Sequence, residues 1–337
     1  MRYRILMGDC VESLRALDAG SVHCCVTSPP YWGLRDYGND GQIGLEETPA
    51  AYVARLVDVF REVRRVLRDD GTLWLNLGDS YASSPASGGK STSDKFCPNI
   101  REQQGTVNGK RRAAGLVDDH ATPSAPYRRP LGLKPKDLVG IPWRVAFALQ
   151  ADGWYLRSDI IWHKPNPMPE SVTDRPTKAH EYLFLLSKSA RYFYDAEAIK
   201  TSVRNGGKVR RGPIYSIPAE TIGVKKKTGN MADDAVWRTP TKANKRSVWT
   251  VPTRPYGGAH FAVFPTKLIE PCILAGCPVG GTVLDPFGGS GTTAIVALNN
   301  QRRAVLCELS PDYIEIAHDR IGKATRQRSI FDVLAEV

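Results

Sequence analysis

Two short segments contain residues whose types and spacing could do chemistry, and the first is Thr27-Ser28-Pro29-Pro30-Tyr31. Consecutive prolines fix the backbone and offer no N–H donors. The Ser28 hydroxyl and the Pro29 carbonyl therefore stay free to accept hydrogen bonds beside the flat ring of Tyr31. Such a loop can grip a planar amine, because hydrogen bonds accepted from amino protons raise the electron density on a weakly nucleophilic nitrogen. A proline-stiffened surface turn is the alternative interpretation.

The second segment is a glycine-rich loop from Asp285 to Gly291, between a β-prone run and a helical run. Glycines let a ligand approach bare backbone, and Glu308 at the end of the next strand could accept hydrogen bonds from two ribose hydroxyls. The loop therefore predicts a nucleoside cofactor. Thr292 stands where a phosphate-binding loop needs lysine, and Ala294 replaces the third glycine of a dinucleotide fingerprint only loosely. The Asp285 carboxylate favours a cationic ligand such as S-adenosylmethionine; a structural glycine turn is the alternative.

The elements around both loops alternate between strand and helix. Residues 22–27 and 72–77 are β-prone, and between them Thr48-Pro49 marks the start of an amphipathic helix that ends near Gly71. The rhythm continues with helices at 143–149 and 292–299, strands at 159–162, 181–186, 282–285 and 303–307, and a last helix capped by Ser310-Pro311. This alternation predicts an α/β fold built on a parallel sheet.

Positive charge is concentrated in stretches that lack this rhythm. The 337 residues include 46 Lys and Arg against 35 Asp and Glu, a net charge of +11. Residues 200–256 hold 13 basic residues against 3 acidic ones, and residues 83–130 hold 8 against 4. The first stretch also contains the aromatic residues Tyr215, Trp237, Trp249 and Tyr256. This pattern favours a polyanion-binding face, although a solvated linker has a similar composition.

Composition excludes several classes of protein. With 42% hydrophobic residues the chain can bury a core, which excludes global disorder, and no apolar run approaches the roughly 20 residues of a membrane span. The seven cysteines lack paired metal-ligand spacing and the six histidines are isolated, so we expect reduced core thiols and no metal. We therefore expect a soluble, cytoplasmic protein.

Together, the two loops resemble those of the S-adenosylmethionine-dependent DNA amino-methyltransferases of restriction-modification systems and phages. The resemblance rests on the runs from Val26 to Tyr31 and from Asp285 to Thr293, with family-like segments at 8–9, 75–79, 161–167 and 260–265. Because the catalytic loop precedes the cofactor loop, the chain is similar to the permuted beta group. This implies a doubly wound mixed sheet of the Rossmann-like methyltransferase type, circularly permuted, with an inserted basic recognition region.

The resemblance also implies roles for individual residues. The target base would be held by the catalytic loop, that is by Ser28, Pro29, Pro30 and Tyr31. The S-adenosylmethionine pocket would be formed by Asp9 at the adenine, Glu308 at the ribose, Asp285, Phe287, Gly289 and Gly291 along the methionine and adenosine, and Phe264 and Pro265 closing it. No metal is implied.

Ser28 favours cytosine as the target base, because adenine enzymes of the family more often have Asp or Asn at that place. We expect site-specific methylation of the N4 amine of cytosine in double-stranded DNA, by base flipping and direct transfer. The alternatives are adenine N6 methylation, a non-catalytic DNA-binding protein that retains the fold, and methylation of a protein glutamine or an RNA amine. Double-stranded DNA is the expected partner; a homodimer and a separate restriction endonuclease are left open.

The resemblance divides the chain into five parts: a catalytic-loop half (1–82), a mobile insertion (83–130), a continuation of the α/β domain (131–199), a basic target-recognition insertion (200–256) and a cofactor-binding half (257–337). Three further residues are interpreted as structural. Cys272 follows a proline, as a nucleophilic cysteine could, but its apolar neighbours indicate a core thiol. His180-Glu181 precedes an apolar strand and is assigned to packing.

Overall fold

A computed structural model of the chain describes residues 2–34, 36, 38–39, 41–82, 132–203, 209–211, 236–238, 240–253 and 264–335. The predicted mobile insertion at 83–130 and most of the predicted recognition insertion at 200–256 lie outside these residues.

The described strands are β1 (Tyr3–Met7), β2 (Val22–Thr27), β3 (Leu67–Leu77), β4 (Tyr155–His163), β5 (His180–Ser187), β6 (Thr201–Ser202), β7 (Val209–Arg211), β8 (Val236–Arg238), β9 (Lys242–Ala243), β10 (Val248–Thr250), β11 (Thr282–Asp285) and β12 (Arg303–Glu308). Eight of them form one sheet in the order β1-β12-β11-β2-β3-β5-β4-β10. β5 runs antiparallel to β3 and β4, and the other neighbours are parallel. The predicted mixed sheet is confirmed.

The described helices are α1 (Cys10–Arg15), α2 (Pro49–Val66), α3 (Ile141–Ala151), α4 (Thr266–Gly276), α5 (Thr292–Asn299) and α6 (Pro311–Ala335). Residues of α1, α2 and α3 pack around one core and residues of α4, α5 and α6 around another. Successive strand residues alternate between the cores: Cys25 and Leu75 face the first, Cys24 and Trp74 the second. Both faces of the sheet are therefore covered by helices, as a doubly wound fold requires.

Helix α2 starts where the sequence predicts and ends earlier. The Thr48 hydroxyl accepts a hydrogen bond from the Ala51 backbone N–H at 3.1 Å, and Pro49 occupies the first turn. The predicted end near Gly71 is wrong, because Leu67 is already extended (φ −68°, ψ 140°) and pairs with Val22 of β2. Pairing with the sheet overrides the local helical pattern.

The end of the predicted recognition insertion belongs to the sheet. β10 pairs in parallel with β4 and forms the last strand at that edge. Trp249 on β10 is only 6% exposed and packs in the core with Trp74 and Trp162. Its assignment to a DNA-binding face is wrong, since a buried indole cannot contact a duplex.

Buried thiols account for the cysteines in the described residues: Cys10, Cys24, Cys25, Cys272, Cys277 and Cys307 are all free and buried. Burial raises the pKa of the Cys272 thiol, and the thiol donates to the Leu268 carbonyl at 3.6 Å, so its interpretation as a core residue is confirmed. Within the described ranges, no His, Cys, Asp and Glu cluster could hold a metal ion. None of the helices there is long and apolar enough to span a membrane.

Candidate active site

The two loops meet at the carboxyl edge of the sheet because their strands are neighbours. β2 and β11 pair in parallel, with Cys25 opposite Leu284, so Thr27 and Asp285 end side by side. The Thr27 hydroxyl donates to Asp285 Oδ1 at 2.6 Å, although 258 positions separate the two residues. This hydrogen bond joins the catalytic loop to the glycine loop.

Asp285 is buried between the two loops, with 2% exposure. The Thr293 hydroxyl donates to its Oδ2 at 2.6 Å, and the Phe287 backbone N–H donates to its Oδ1 at 3.1 Å. Burial raises the pKa of Asp285 to about 6, while the hydrogen bonds from Thr27 and Thr293 act in the opposite direction. At neutral pH the site therefore has a buried negative charge where the loops meet.

Close packing explains the glycine loop. A Cβ on Gly288 would lie 2.8 Å from the Leu306 Cβ, and Gly289 has a positive φ of 50°. The Gly289 backbone N–H donates to Glu308 Oε2 at 2.7 Å, and the Ser310 N–H donates to Oε1 at 2.9 Å. Burial raises the pKa of Glu308, and these two hydrogen bonds oppose the shift. Glu308 thus fixes the glycine loop from the end of β12.

The catalytic loop is held by β3 and α2. A Cβ on Gly78, directly after β3, would lie 2.4 Å from Cε2 of Tyr31, so only glycine leaves room for the ring as placed. The Tyr52 hydroxyl of α2 donates to the Pro30 carbonyl at 2.9 Å. Burial, followed by the negative charge of Glu181, raises the pKa of Tyr31. Tyr31 is therefore a neutral phenol fixed in position.

Both loops line one cavity of about 420 Å³. Ten of the twelve predicted site residues line it: Asp9, Ser28, Pro29, Pro30, Tyr31, Phe264, Asp285, Phe287, Gly289 and Glu308. Pro265 and Gly291 do not. Pro265 precedes α4 and accepts a hydrogen bond from the Leu268 N–H. Gly291 is the N-cap residue before α5, with φ 79°, and a Cβ there would lie 3.1 Å from the Ala317 Cβ, so its place is explained by packing against α6.

The same cavity is also lined by polar residues without a predicted binding role, among them Asn76, Lys164 and Glu181. The Tyr31 hydroxyl donates to Glu181 Oε2 at 2.7 Å, and Lys164 forms an ion pair with Oε1. The assignment of Glu181 to packing is wrong, because the antiparallel register of β4 and β5 places it opposite Trp162 at the cavity. The available signal was a carboxylate at the start of an otherwise apolar strand.

Comparison with known proteins identifies the chain. A family profile described as DNA methylase, N6_N4_Mtase, matches residues 22–319. The chain belongs to the N6/N4 DNA methylase family. The predicted relationship to S-adenosylmethionine-dependent DNA amino-methyltransferases, with that cofactor, is confirmed by this match.

Relatives of this methylase cover most of its length. The type II methyltransferase M.Cfr9I of Citrobacter freundii is 48% identical over 314 residues, which are 93% of this chain and 86% of the relative. The type II methyltransferase M.SmaI of Serratia marcescens is 48% identical over 318 residues, covering 94% and 90%.

Solved structures share the fold of this methylase. PvuII DNA methyltransferase (cytosine-N4-specific) has a TM-score of 0.58 at 18% identity, with 97% of this chain and 91% of that chain covered. TTHA0409 from Thermus thermophilus, solved with S-adenosyl-L-methionine, has a TM-score of 0.56 at 23% identity, with 96% and 94% covered. Both likenesses support the doubly wound methyltransferase fold.

Proposed function

We propose that this methylase transfers a methyl group from S-adenosylmethionine to the N4 amine of cytosine in double-stranded DNA. The observation that carries the proposal is the hydrogen bond from Thr27 to Asp285. It joins a loop suited to a cationic nucleoside and a loop suited to a planar amine at one cavity.

The charge of the cavity fits the cofactor. Four carboxylates line it; Glu181 is paired with Lys164, and Asp9, Asp285 and Glu308 belong to the predicted cofactor pocket. The latter three would attract the cationic sulfonium and ammonium groups and repel the phosphates of a nucleotide. The two oxygens of Glu308 each accept one backbone hydrogen bond, and an ionised carboxylate oxygen can accept another, which leaves capacity for ribose hydroxyls. When bound, S-adenosylmethionine supplies an electrophilic methyl group.

The catalytic loop fits the other reactant. Pro29 and Pro30 lack N–H groups, so this backbone cannot donate hydrogen bonds to a base and the Ser28 hydroxyl is left as an acceptor. An acceptor at the amine would oppose the delocalisation of its lone pair into the ring as nitrogen attacks carbon. Ser28, where adenine enzymes more often have Asp or Asn, supports cytosine N4 over adenine N6.

Duplex DNA hides this amine, so we propose that the base is flipped into the cavity. The basic residues of 200–256 would contact phosphates and base edges. Because the named relatives are type II methyltransferases, we also propose a restriction endonuclease on a separate chain that reads the same sequence. The homodimer stays a prediction.

The test is a labelling reaction with purified protein, unmethylated genomic DNA and methyl-tritiated S-adenosylmethionine, followed by digestion to nucleosides and mass spectrometry. We expect labelled N4-methylcytosine. Labelled N6-methyladenine would overturn the choice of base and keep the reaction class. Binding of duplex without any label would support the non-catalytic alternative.

A further inference from the structure

A polar cluster on the base side of the cavity surrounds the Tyr31 hydroxyl and is not explained by the proposed function. It consists of Asn76, Lys164 and Glu181. Glu181 and Lys164 are mostly buried, with side-chain exposures of 15% and 19%. Lys164 Nζ lies 4.4 Å from the centroid of the Trp162 ring, which holds the cation over an aromatic face. Burying two charged side chains costs desolvation free energy, which their attraction offsets only with good geometry and further hydrogen bonds.

Each oxygen of Glu181 has its own partners. Oε1 is paired with Lys164. Oε2 accepts from the Tyr31 hydroxyl at 2.7 Å and from Asn76 Nδ2 at 3.2 Å. Asn76 Nδ2 also donates to the Tyr182 carbonyl at 3.0 Å, which fixes the amide with its oxygen toward Tyr31. The cluster therefore presents a fixed acceptor to Tyr31.

The chemistry of the side chains in this cluster determines which atom donates and which accepts in each hydrogen bond. A carboxylate can only accept, and a phenol has a single hydrogen. The shortest contact of the Tyr31 hydroxyl is to Glu181 at 2.7 Å, against 3.2 Å to Asn76 Oδ1. The Tyr31 oxygen is left to accept, and the Ser28 hydroxyl lies 3.5 Å away in donor geometry. With its hydrogen turned toward Tyr31, Ser28 Oγ presents lone pairs to the cavity.

We propose that Glu181 is a positioning and specificity-determining residue that sets the direction of the chain Ser28–Tyr31–Glu181. Ser28 is thereby held as an acceptor, which matches the N–H groups of an amino base and mismatches the carbonyl of a keto base. Polarisation along the chain also strengthens the acceptor. The inference rests on the proposed function and applies equally to a cytosine or an adenine target.

The first test is Glu181→Gln, which nearly preserves the shape of the side chain and replaces the fixed acceptor of the Tyr31 hydroxyl with a donor. Lys164 keeps the side-chain oxygen, so the new amide N–H faces Tyr31 and donates to it. The Tyr31 hydrogen then loses its fixed acceptor and is shared between Asn76 Oδ1 at 3.2 Å and Ser28 Oγ at 3.5 Å, so Ser28 is no longer held as an acceptor toward the base. We expect single-turnover methylation to fall by about 100-fold, the scale of losing one aligned hydrogen-bond group at a reacting centre. Affinity for S-adenosylmethionine should stay within about threefold, which also shows that the variant folds.

The matched control is Glu170→Gln. Glu170 is also paired with a cation, Arg175, at 2.6 Å, but it does not line the cavity. We expect wild-type methylation from this variant. Equal losses in both variants would overturn the inference, because a general effect of removing a charge would then explain the result.

The second test measures the preference between target bases by DNA binding, without an activity assay. Once sequencing of modified bases has located the target, a duplex with the natural target base is compared with one carrying its keto counterpart, uracil for cytosine or hypoxanthine for adenine. Wild-type protein should bind the amino duplex more tightly, and Glu181→Gln should lose or invert that preference. A preference unchanged in the variant would overturn the inference, whereas structural damage would weaken both duplexes equally.

A double-mutant cycle separates the inference from the proposed function. Tyr31→Phe removes the middle of the chain, so adding Glu181→Gln to it should cost no further activity; additive losses contradict the chain. A wild-type protein that labels no DNA would remove the proposed function and this inference together. Wild-type labelling with equal labelling by Glu181→Gln would remove the inference alone.

Discussion

At Asp285 the needs of folding conflict with those of the proposed cofactor binding. Its pKa of about 6 in the folded protein exceeds the ordinary value of 3.8 because the carboxyl is buried. Between these two pH values the folded state holds the proton more tightly than the unfolded state, so the contribution of Asp285 to stability falls as pH rises through this window. Each pH unit between the two pKa values corresponds to about 1.4 kcal/mol, so the stability lost across this window is on the order of 3 kcal/mol.

Asp285→Asn should remove this cost. The side-chain oxygen of asparagine can still accept from Thr27, and the amide can donate to the Thr293 hydroxyl. We expect the free energy of unfolding of the variant relative to wild type to increase from pH 4 to pH 7 by about 1–3 kcal/mol, measured by urea titration. S-adenosylmethionine should bind at least about tenfold more weakly because a negative charge is lost. If the difference in unfolding free energy between the variant and wild type did not change with pH, the raised pKa of Asp285 would be contradicted.

Gly78→Ala should disable the catalytic loop without touching the cofactor. The new Cβ would lie 2.4 Å from the Tyr31 ring, so the ring must move. We expect methylation to fall at least about tenfold, since displaced reacting groups lose alignment, with cofactor affinity unchanged in equilibrium binding. The control is Gly322→Ala on α6, where a Cβ would meet only an Arg326 nitrogen at 3.8 Å. Full activity in Gly78→Ala would show that the position of Tyr31 is not needed.

Sequence reasoning finds residues of this site that stand in unusual loops. Ser28 and Asp285 are conspicuous because proline and glycine flank them. Glu181 is not, because its importance depends on which side chain stands opposite it in an antiparallel pair, and strand spacing does not encode register.

At the scale of elements, local sequence signals predict where a helix starts better than where it ends. The start of α2 depends on Thr48 and Pro49 alone, and both signals are local. Its end depends on Leu67 pairing with Val22, which are far apart in sequence. Strand β10 is missed for the same reason: three residues in a basic stretch become a strand only because β4 offers an edge.

Thr48→Ala tests the helix start. The Thr48 side chain accepts from Ala51 N–H at 3.1 Å, and loss of such a cap costs about 1 kcal/mol of unfolding free energy. The measurement is chemical denaturation at neutral pH, with the exposed Thr241→Ala as control. The substitution leaves the hydrogen bond from the Tyr52 hydroxyl of α2 to the Pro30 carbonyl in place, so methylation at saturating substrate should be preserved. Reduced methylation by the folded variant would show that the cap also shapes the catalytic loop.

At the scale of the whole molecule, positive charge is concentrated in one part of the chain. Residues 200–256 contain 13 basic residues against 3 acidic, while the cavity is lined by carboxylates. Under the proposed function, a basic recognition region and an acidic cofactor pocket would serve ligands of opposite charge, duplex DNA and a sulfonium. The order of the two motifs in the sequence predicts the permuted fold. The pairing of β2 with β11, which brings the two motifs together, cannot be derived from their spacing.

Replacing Lys225, Lys226 and Lys227 with Gln tests the role of the basic region. Each lysine that contacts a phosphate contributes about 0.9 to the slope of log affinity against log salt concentration. We expect weaker DNA binding and a smaller salt slope by fluorescence anisotropy, with cofactor affinity unchanged. Lys323→Gln, which breaks the ion pair with Asp319 on α6, is the control. An unchanged slope in the triple variant would place the DNA contacts elsewhere.

The most direct measurement is a paired assay on Ser28→Ala, in which one preparation is tested for equilibrium binding of S-adenosylmethionine and for single-turnover transfer to DNA. Cofactor affinity within about threefold of wild type, with transfer reduced by about 100-fold or more, is the result we expect from loops that meet at one cavity with separate tasks. Loss of cofactor binding with transfer, or transfer at the wild-type rate, would contradict that division of labour.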